Sequence, residues 1–226
     1  MTTLRPIPVL PPGGRRVAFA GKGGAGKSTL SAYFLAYLKS YDVPCVGIDT
    51  DVPGKAEHGT LYTHANAVDL GAPVYPAPAV HHIRQEAQRL CPEKGVCLLD
   101  TAAWEKHDGG PHLAVMSAVD TVILCLQPTP SELDRATSVL GYIQQLRATG
   151  APAPELHVML TMVGRGVAAD KLQAKLEAAG YPVLASRFMF SSALTGPAHI
   201  FKQKIRTRAG SAMDRMSREI LEVVAR

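Results

Sequence analysis

The apolar residues of this chain fall into short continuous runs that alternate with segments in which apolar residues recur at helical spacing. Continuous apolar runs are typical of strands buried on both faces, as in a parallel sheet covered by helices. The predicted strands are residues 17–20, 44–48, 95–99, 121–126, 156–162 and 182–185, with a further short strand at 74–75. The predicted helices are residues 28–40, 80–90, 131–148, 168–179 and 211–224. This alternation predicts an α/β fold in which a mostly parallel sheet carries helices on both faces.

Local signals set several of the predicted boundaries. Ser131, with Asp134 three residues later, has the spacing of a capping box at the start of a helix. Gly180 stands where helices commonly end on a left-handed glycine. The stretch 53–78 is predicted to be irregular apart from its short strand, and the prolines and glycines of residues 11–14 close a leader. We therefore expect a flexible leader over residues 1–14 and one domain over residues 15–226.

Composition narrows the class of protein. The chain has 226 residues, of which 46% are hydrophobic and 19% charged, and this suits one domain. No apolar stretch reaches the roughly 18 to 20 residues that cross a bilayer, and the N-terminal residues lack the apolar run of a signal sequence. A cytoplasmic protein is therefore expected. The four cysteines include no CxxC pair, which argues against a disulfide framework, a zinc site or an iron–sulfur site.

Basic residues are concentrated in one part of the chain. The net charge is +5, and residues 187–218 contain seven basic residues against a single acidic one, Asp214. Clustered positive charge favours a polyanionic partner such as DNA. The alternative is a solvated basic segment without a ligand. The candidate DNA contacts are Arg187, Lys202, Lys204, Arg206 and Arg208.

A glycine-rich segment between the first predicted strand and the first predicted helix carries the clearest chemistry. Residues 21–28 fit G-x-x-x-x-G-K-[ST], the phosphate-binding loop, in the strand–loop–helix context that this motif requires. Backbone N–H groups of Gly23, Gly24, Ala25 and Gly26 are expected to surround phosphates at the positive end of the helix. Lys27 is expected to reach the β- and γ-phosphates, the Ser28 hydroxyl to ligate Mg²⁺, and Thr29 to lie near the α-phosphate.

Carboxylates follow two of the predicted strands. Asp49 and Asp51 end the second strand, and Asp100 ends the apolar run 96–99. An apolar strand that ends in aspartate is the Walker B pattern, in which the carboxylate holds Mg²⁺ through water. The alternative for each aspartate is an ordinary strand-end residue that caps a turn. Three strand ends in the correct order, the first followed by the phosphate loop and the other two by carboxylates, favour an ATP site with Mg²⁺.

A second lysine within the loop makes it resemble one particular group. The pattern K-G-G-x-G-K-S at residues 22–28 is similar to that of the deviant Walker A ATPases, which include ParA, MinD, nitrogenase iron protein and arsenical-pump ATPases. By this resemblance Lys22 crosses a dimer interface and delivers a cation to the partner's nucleotide, as an arginine finger does. The resemblance also implies that Asp49 lies near the water shell of the metal and that Asp51 orients the attacking water. The alternative for Lys22 is a solvated surface lysine.

Other segments favour the ParA family within this group. Residues 121–131 look like its D-x-V-I-I-P-x-x-P-S segment, and Thr161 and Met162 match the strand that abuts adenine. The length resembles that of small ParF-like partition ATPases. The chain departs from the family at Val52-Pro53-Gly54, where ParA has P-Q-G, and at Ala102, where many members have proline. The first departure leaves the details of the switch loop open.

The resemblance implies a DNA-partition ATPase that acts in plasmid or chromosome segregation. Such a protein forms a homodimer with ATP and Mg²⁺, binds DNA non-specifically, associates with the nucleoid, and is reset when a centromere-binding or cargo adaptor protein stimulates hydrolysis. Three alternatives stay open: an ATPase that positions a protein cargo such as a carboxysome, a MinD-like membrane-associated regulator, and a small-molecule ligase such as dethiobiotin synthetase. The mixed charge of the terminal helix predicts that its apolar stripe is core and does not contact a membrane.

Overall fold

The computed structural model describes residues 6–51, 60–77, 82–104, 109–190 and 208–226. Its strands are β1 Arg15–Ala20, β2 Cys45–Asp49, β3 Val74–Pro76, β4 Val96–Asp100, β5 Thr121–Leu126, β6 Glu155–Val163 and β7 Phe188–Met189. Its helices are α1 Lys27–Ser40, α2 Thr60–Ala67, α3 Ile83–Leu90, α4 Gly109–Ala118, α5 Glu132–Ala148, α6 Ala168–Ala178 and α7 Ala212–Val224. The predicted alternation of strands and helices is confirmed.

The seven strands of the described residues form one parallel sheet in the order β3-β2-β4-β1-β5-β6-β7. The first strand lies between β4 and β5, so the chain leaves β1 in one direction and later returns to its other side. In open α/β sheets such a reversal leaves a crevice at the carboxyl ends of the strands, where ligands bind. The phosphate loop follows β1 and therefore opens into this crevice.

Each face of the sheet carries its own apolar core. Side chains of β4 and β5 are buried along their whole length and alternate between the two cores. Leu99 and Leu124 pack with α3, α4, α5 and α6, whereas Leu98 and Ile123 pack with α1, α2 and α7. Because burial of one leucine or isoleucine side chain contributes about 1.5 to 3 kcal/mol, these central strands hold the two helical layers on the sheet.

Two predicted local features are wrong. Ser131 already has helical dihedral angles and makes no capping hydrogen bond within the described residues; its hydroxyl lies 3.4 Å from that of Thr129. The predicted strand at 182–185 is reduced to a single bridge between Val158 and Val183. The chain then turns away, since the N–H groups of residues 185 and 186 donate to the Glu219 carboxylate instead of to β6. The left-handed glycine at 180 is confirmed, with φ of 81°.

Two helices were not predicted. Helix α2 lies inside the stretch expected to be irregular, and it buries only Leu61 and His64. Helix α4 begins with Gly-Gly-Pro, a composition with low helix propensity. Both helices therefore depend on packing against the sheet more than on local sequence preference.

The described part of the leader, residues 6–14, packs against the domain. Leu10 is buried in the core that contains α1 and α7. Gly14 has φ of +69°, and a Cβ there would lie 2.4 Å from the carbonyl oxygen of Pro92, so the close approach requires glycine. The Arg218 side chain also donates to the Pro6 carbonyl oxygen at 3.3 Å. This segment is therefore packed onto the domain and is not a free arm.

The terminal helix α7 packs as the sequence predicts. Its apolar stripe, which includes Met216, Ile220, Leu221 and Val224, is buried in the core beside α1. Its N-cap is Ser211, whose hydroxyl accepts a hydrogen bond from the Asp214 N–H at 3.1 Å. Among the described residues, the helices are all too short or too polar to cross a membrane.

Candidate functional site

The phosphate loop connects β1 to α1 through glycines in conformations that other residues rarely adopt. Gly24 and Gly26 have φ of 73° and 81°, and α1 starts directly after Gly26. A Cβ on Gly26 would also lie 3.1 Å from the Phe188 ring. The loop thus turns its backbone at the positive end of α1, the geometry that binds phosphate. Binding of phosphate by the backbone of Gly23, Gly24, Ala25 and Gly26 stays a prediction.

The motif lysine lies over its own loop. The Lys27 side chain is buried, and its Nζ donates to the carbonyl oxygen of Lys22 at 3.0 Å. Neighbouring segments hold the loop at two other carbonyl groups. The Trp104 N–H donates to Gly21 at 2.9 Å, and the Gln127 side-chain amide donates to Gly24 at 2.8 Å. The loop is therefore connected to the segments that follow β4 and β5.

Two buried carboxylates lie side by side at the carboxyl ends of β2 and β4. Asp49 and Asp100 are paired in the strand register, and both are fully buried. Asp49 accepts backbone N–H bonds from Asp51 at 3.0 Å and Tyr62 at 2.8 Å. The Oδ1 atom of Asp100 accepts from the Ser31 hydroxyl at 2.9 Å. Its Oδ2 atom makes no hydrogen bond of standard geometry within the described residues.

This arrangement disfavours the charged forms of both carboxyl groups. Burial, with the nearby Asp49 charge as second cause, raises the pKa of Asp100 to about 7. The Ser28 hydroxyl, the Lys27 ammonium and the Ser31 hydroxyl act in the opposite direction on the pKa of Asp100. Burial also raises the pKa of Asp49. Ser28, Lys27, Asp49 and Asp100 therefore meet in one place.

The residues fit a magnesium ion that is held together with a nucleotide. Mg²⁺ commonly takes one or two protein oxygens and fills its other positions with water and phosphate. A divalent cation beside Asp100 would satisfy the Oδ2 atom and offset the repulsion between the two carboxylates. No cluster of three or more histidine, cysteine or acidic ligands occurs in the part of the chain that the structure describes.

The second lysine of the loop contacts a buried acid. Lys22 Nζ lies 3.2 Å from the Oε1 atom of Glu132, the first residue of α5, whose side chain is fully buried. Arg135 Nε lies 3.4 Å from the same oxygen atom, and Arg135 Nη1 donates to the Trp104 carbonyl at 2.6 Å. Sequence reasoning missed Glu132, Arg135 and Trp104. Only the position of Glu132 directly after the ParA-like segment 121–131 could have indicated it.

The remaining predicted site residues lie around this centre. Asp51 is half-buried, and its backbone N–H donates to Asp49. Thr161 is buried, and its hydroxyl has no partner within the described residues. Met162 has a left-handed φ of 53°, and its sulfur lies 3.4 Å from the position of a Cβ on Gly26. The end of β6 therefore packs against the phosphate loop, and contact of Thr161 and Met162 with the base stays a prediction.

The predicted DNA-binding residues are only partly described. Lys202, Lys204 and Arg206 lie outside the described residues. Arg208 is exposed, whereas Arg187 forms an ion pair with Asp170 at 2.7 Å and hydrogen bonds to Gln173. The charge of Arg187 is thus partly balanced within its own chain.

Comparison with known proteins gives a family and a fold. The family model described as CobQ/CobB/MinD/ParA nucleotide binding domain matches residues 17–196. No curated protein matches the chain. The solved structures below are all under 20% identical to it and therefore speak for the fold alone.

Three of these structures illustrate the range of similar proteins. Cobyrinic acid a,c-diamide synthase from Mycobacterium smegmatis, with an ATP analogue and magnesium, has a TM-score of 0.64 and 17% identity, and the match covers 92% of this chain and 93% of that one. The cell division ATPase MinD from Pyrococcus furiosus has a TM-score of 0.64 and 15% identity over 92% and 99%. A protein described as a plasmid partition protein from Borrelia burgdorferi B31, bound to AMPPNP, has a TM-score of 0.59 and 15% identity over 92% and 97%.

Proposed function

We propose, from the premise that the chain belongs to the CobQ/CobB/MinD/ParA nucleotide-binding domain family, that it is an MgATP hydrolase that partitions DNA. In this proposal ATP drives dimerisation, the dimer binds DNA without sequence preference, and an adaptor protein triggers hydrolysis and release. The observation that carries the ATPase part is the buried Asp49–Asp100 pair beside Ser28 and Lys27, in which Asp100 Oδ2 makes no hydrogen bond of standard geometry to the described residues.

The residues of the site have distinct parts in the reaction. Bound MgATP supplies the phosphoryl group that is transferred to water. Lys27 leaves the Lys22 carbonyl and contacts the β- and γ-phosphates, where it neutralises charge. Ser28 and Asp100 would hold the metal ion, which would neutralise phosphate charge. Asp51 accepts a hydrogen bond from the attacking water and keeps it in line with the scissile bond.

Contacts between α1 and α7 support a connection between nucleotide and DNA. The Tyr41 hydroxyl at the end of α1 donates to Asp214 Oδ1 at 2.7 Å. The Gly210 N–H donates to Asp214 Oδ2 at 2.9 Å. Helix α1 begins at the phosphate loop, and Gly210 lies two residues after the end of the basic segment 202–208. A movement of α1 on ATP binding would therefore be transmitted to the end of that segment.

A mobility-shift assay on random duplex DNA tests the proposal. Binding should require ATP and weaken with salt, since each phosphate contact contributes about 0.9 to the slope of log affinity against log salt concentration. The double variant K204E/R206E should lose DNA binding but keep ATP binding. The matched control is K171E/K175E, which makes the same charge change at two exposed lysines of α6. Retention of DNA by K204E/R206E, or binding without ATP by the native chain, would contradict partition.

A small-molecule ligase is the second candidate, and two observations favour it. Similar structures include a synthase, and a cavity of about 230 Å³ lies between the β5–α5 segment and α6. Two lysines, Lys171 and Lys175, line this cavity and could contact an acidic substrate. The control variant K171E/K175E also separates these candidates, because it would remove ligase activity and leave DNA binding intact. Positioning of a protein cargo would differ from plasmid partition only in the adaptor protein that stimulates hydrolysis.

A further inference from the structure

We propose that Glu132 is a positioning residue that holds Lys22 within its own protomer until MgATP-driven dimerisation withdraws this lysine to the partner's nucleotide. The inference rests on the proposed function, in which Lys22 acts across a dimer interface. It adds a residue that the phosphate-loop motif does not contain. In this proposal the ion pair between Lys22 and Glu132 belongs to the monomer and is broken in the dimer.

The geometry places the acid where it can compete for this lysine. The Lys22 ammonium lies 3.2 Å from Glu132 Oε1, and 24% of the lysine side chain is exposed, whereas none of the glutamate side chain is. Lys22 can therefore leave the pair towards solvent or a partner, but Glu132 cannot follow it. The same ammonium cannot contact Glu132 and also reach phosphates in another protomer. The intramolecular and intermolecular contacts of Lys22 are mutually exclusive.

Glu132 has a second source of positive charge besides Lys22. Glu132 lies at the N-terminus of α5, where the helix dipole favours a negative charge. Arg135, one turn later, already supplies a positive charge at 3.4 Å. When Lys22 departs, Glu132 therefore keeps one cation and the helix terminus, so the buried carboxylate is not left without compensation. This arrangement permits Lys22 to leave at limited cost.

A closed ring of contacts connects this ion pair to the segment after β4. Lys22 contacts Glu132, which contacts Arg135, and Arg135 donates to the Trp104 carbonyl. The Trp104 N–H donates in turn to the carbonyl oxygen of Gly21, the neighbour of Lys22. Trp104 is buried and stacks on His112 with ring centroids 4.2 Å apart. Because the chain has a single tryptophan, the fluorescence of Trp104 reports changes within this ring.

The expected effect follows from the strength of a partly exposed ion pair. Such pairs change an equilibrium by about one-and-a-half- to five-fold. A dimer breaks two of them, one in each protomer, so removal of the pair should strengthen dimerisation by about two- to twenty-five-fold. The gain should disappear when Lys22 is absent, because the competition acts through this residue alone.

Sedimentation velocity with Mg²⁺ and a non-hydrolysable ATP analogue tests the inference on the full chain. The variants are E132Q, which removes the charge and keeps the shape, and E132D, which withdraws the carboxylate by one methylene and keeps its charge beside Arg135. The matched control is D134N, which removes an exposed acidic residue from the same helix turn. Each variant is also made with K22A. Trp104 emission in the absence of nucleotide should change in E132Q and stay unchanged in D134N.

The outcomes distinguish failure of this inference from failure of the proposed function. Stronger dimers in E132Q and E132D, no change in D134N, and loss of the gain with K22A would support the role of Glu132. Equal dimerisation of E132D and the native chain would overturn this role, even if E132Q did not fold. A gain in dimer affinity that persists in the K22A background would also overturn it. Failure of the native chain to dimerise at saturating nucleotide would instead overturn the proposed function, and this inference with it.

Discussion

Replacement of Asp100 by asparagine should stabilise the nucleotide-free protein while it removes the metal site. The carboxyl group is fully buried, and its pKa is raised from 3.8 to about 7, chiefly by burial. This difference corresponds to about 4 kcal/mol of unfavourable free energy for the charged form in the folded state above pH 7. Asparagine has no charge and keeps an oxygen for the Ser31 hydroxyl. Loss of the charge-assisted part of that bond costs about 1 kcal/mol, so a net gain of about 3 kcal/mol is expected at pH 8.

The pH dependence of the free energy of unfolding also tests this prediction. The folded protein holds the Asp100 proton more tightly than the unfolded chain, so the native stability falls as pH rises from about 4 to about 7. The stability advantage of D100N over the native chain should therefore shrink by about 2 to 3 kcal/mol between pH 8 and pH 5. Urea unfolding at both pH values with EDTA measures it, with D134N as an exposed control that should change stability by less than about 0.5 kcal/mol. Destabilisation by D100N at pH 8, or a difference independent of pH, would refute the reasoning.

Two further predictions concern the nucleotide. Lys27→Ala should abolish ATP binding in calorimetry, because it removes the cation that faces the β- and γ-phosphates; affinity equal to that of the native chain would rule out this role. Asp51→Ala should bind ATP and dimerise but hydrolyse it at least about a hundred-fold more slowly, since the phosphate contacts stay and the attacking water loses its acceptor. Unchanged phosphate release by the purified variant would remove Asp51 from the mechanism.

The phosphate loop could be predicted because its determinants are adjacent in sequence. Eight consecutive residues carry the glycines, Lys27 and Ser28, and the flanking strand and helix have clear apolar patterns. The aspartates could be predicted for a similar reason, since parallel strands bring their carboxyl ends to one edge of a sheet. Neither inference required knowledge of which strands are neighbours.

The sequence by itself therefore determined the α/β class, the helices on both faces and the residues of the phosphate loop, because these depend on local spacing and on the alternation of apolar runs. Only the tertiary structure decided which groups are in contact across the sheet. It placed Asp49 opposite Asp100 through the neighbouring positions of β2 and β4. It buried Glu132 and turned Lys22 towards it across 110 residues of chain. Burial of a charged side chain depends on the packing of segments that are distant in sequence. Residue type alone predicts an exposed side chain at position 132, since glutamate is almost always exposed.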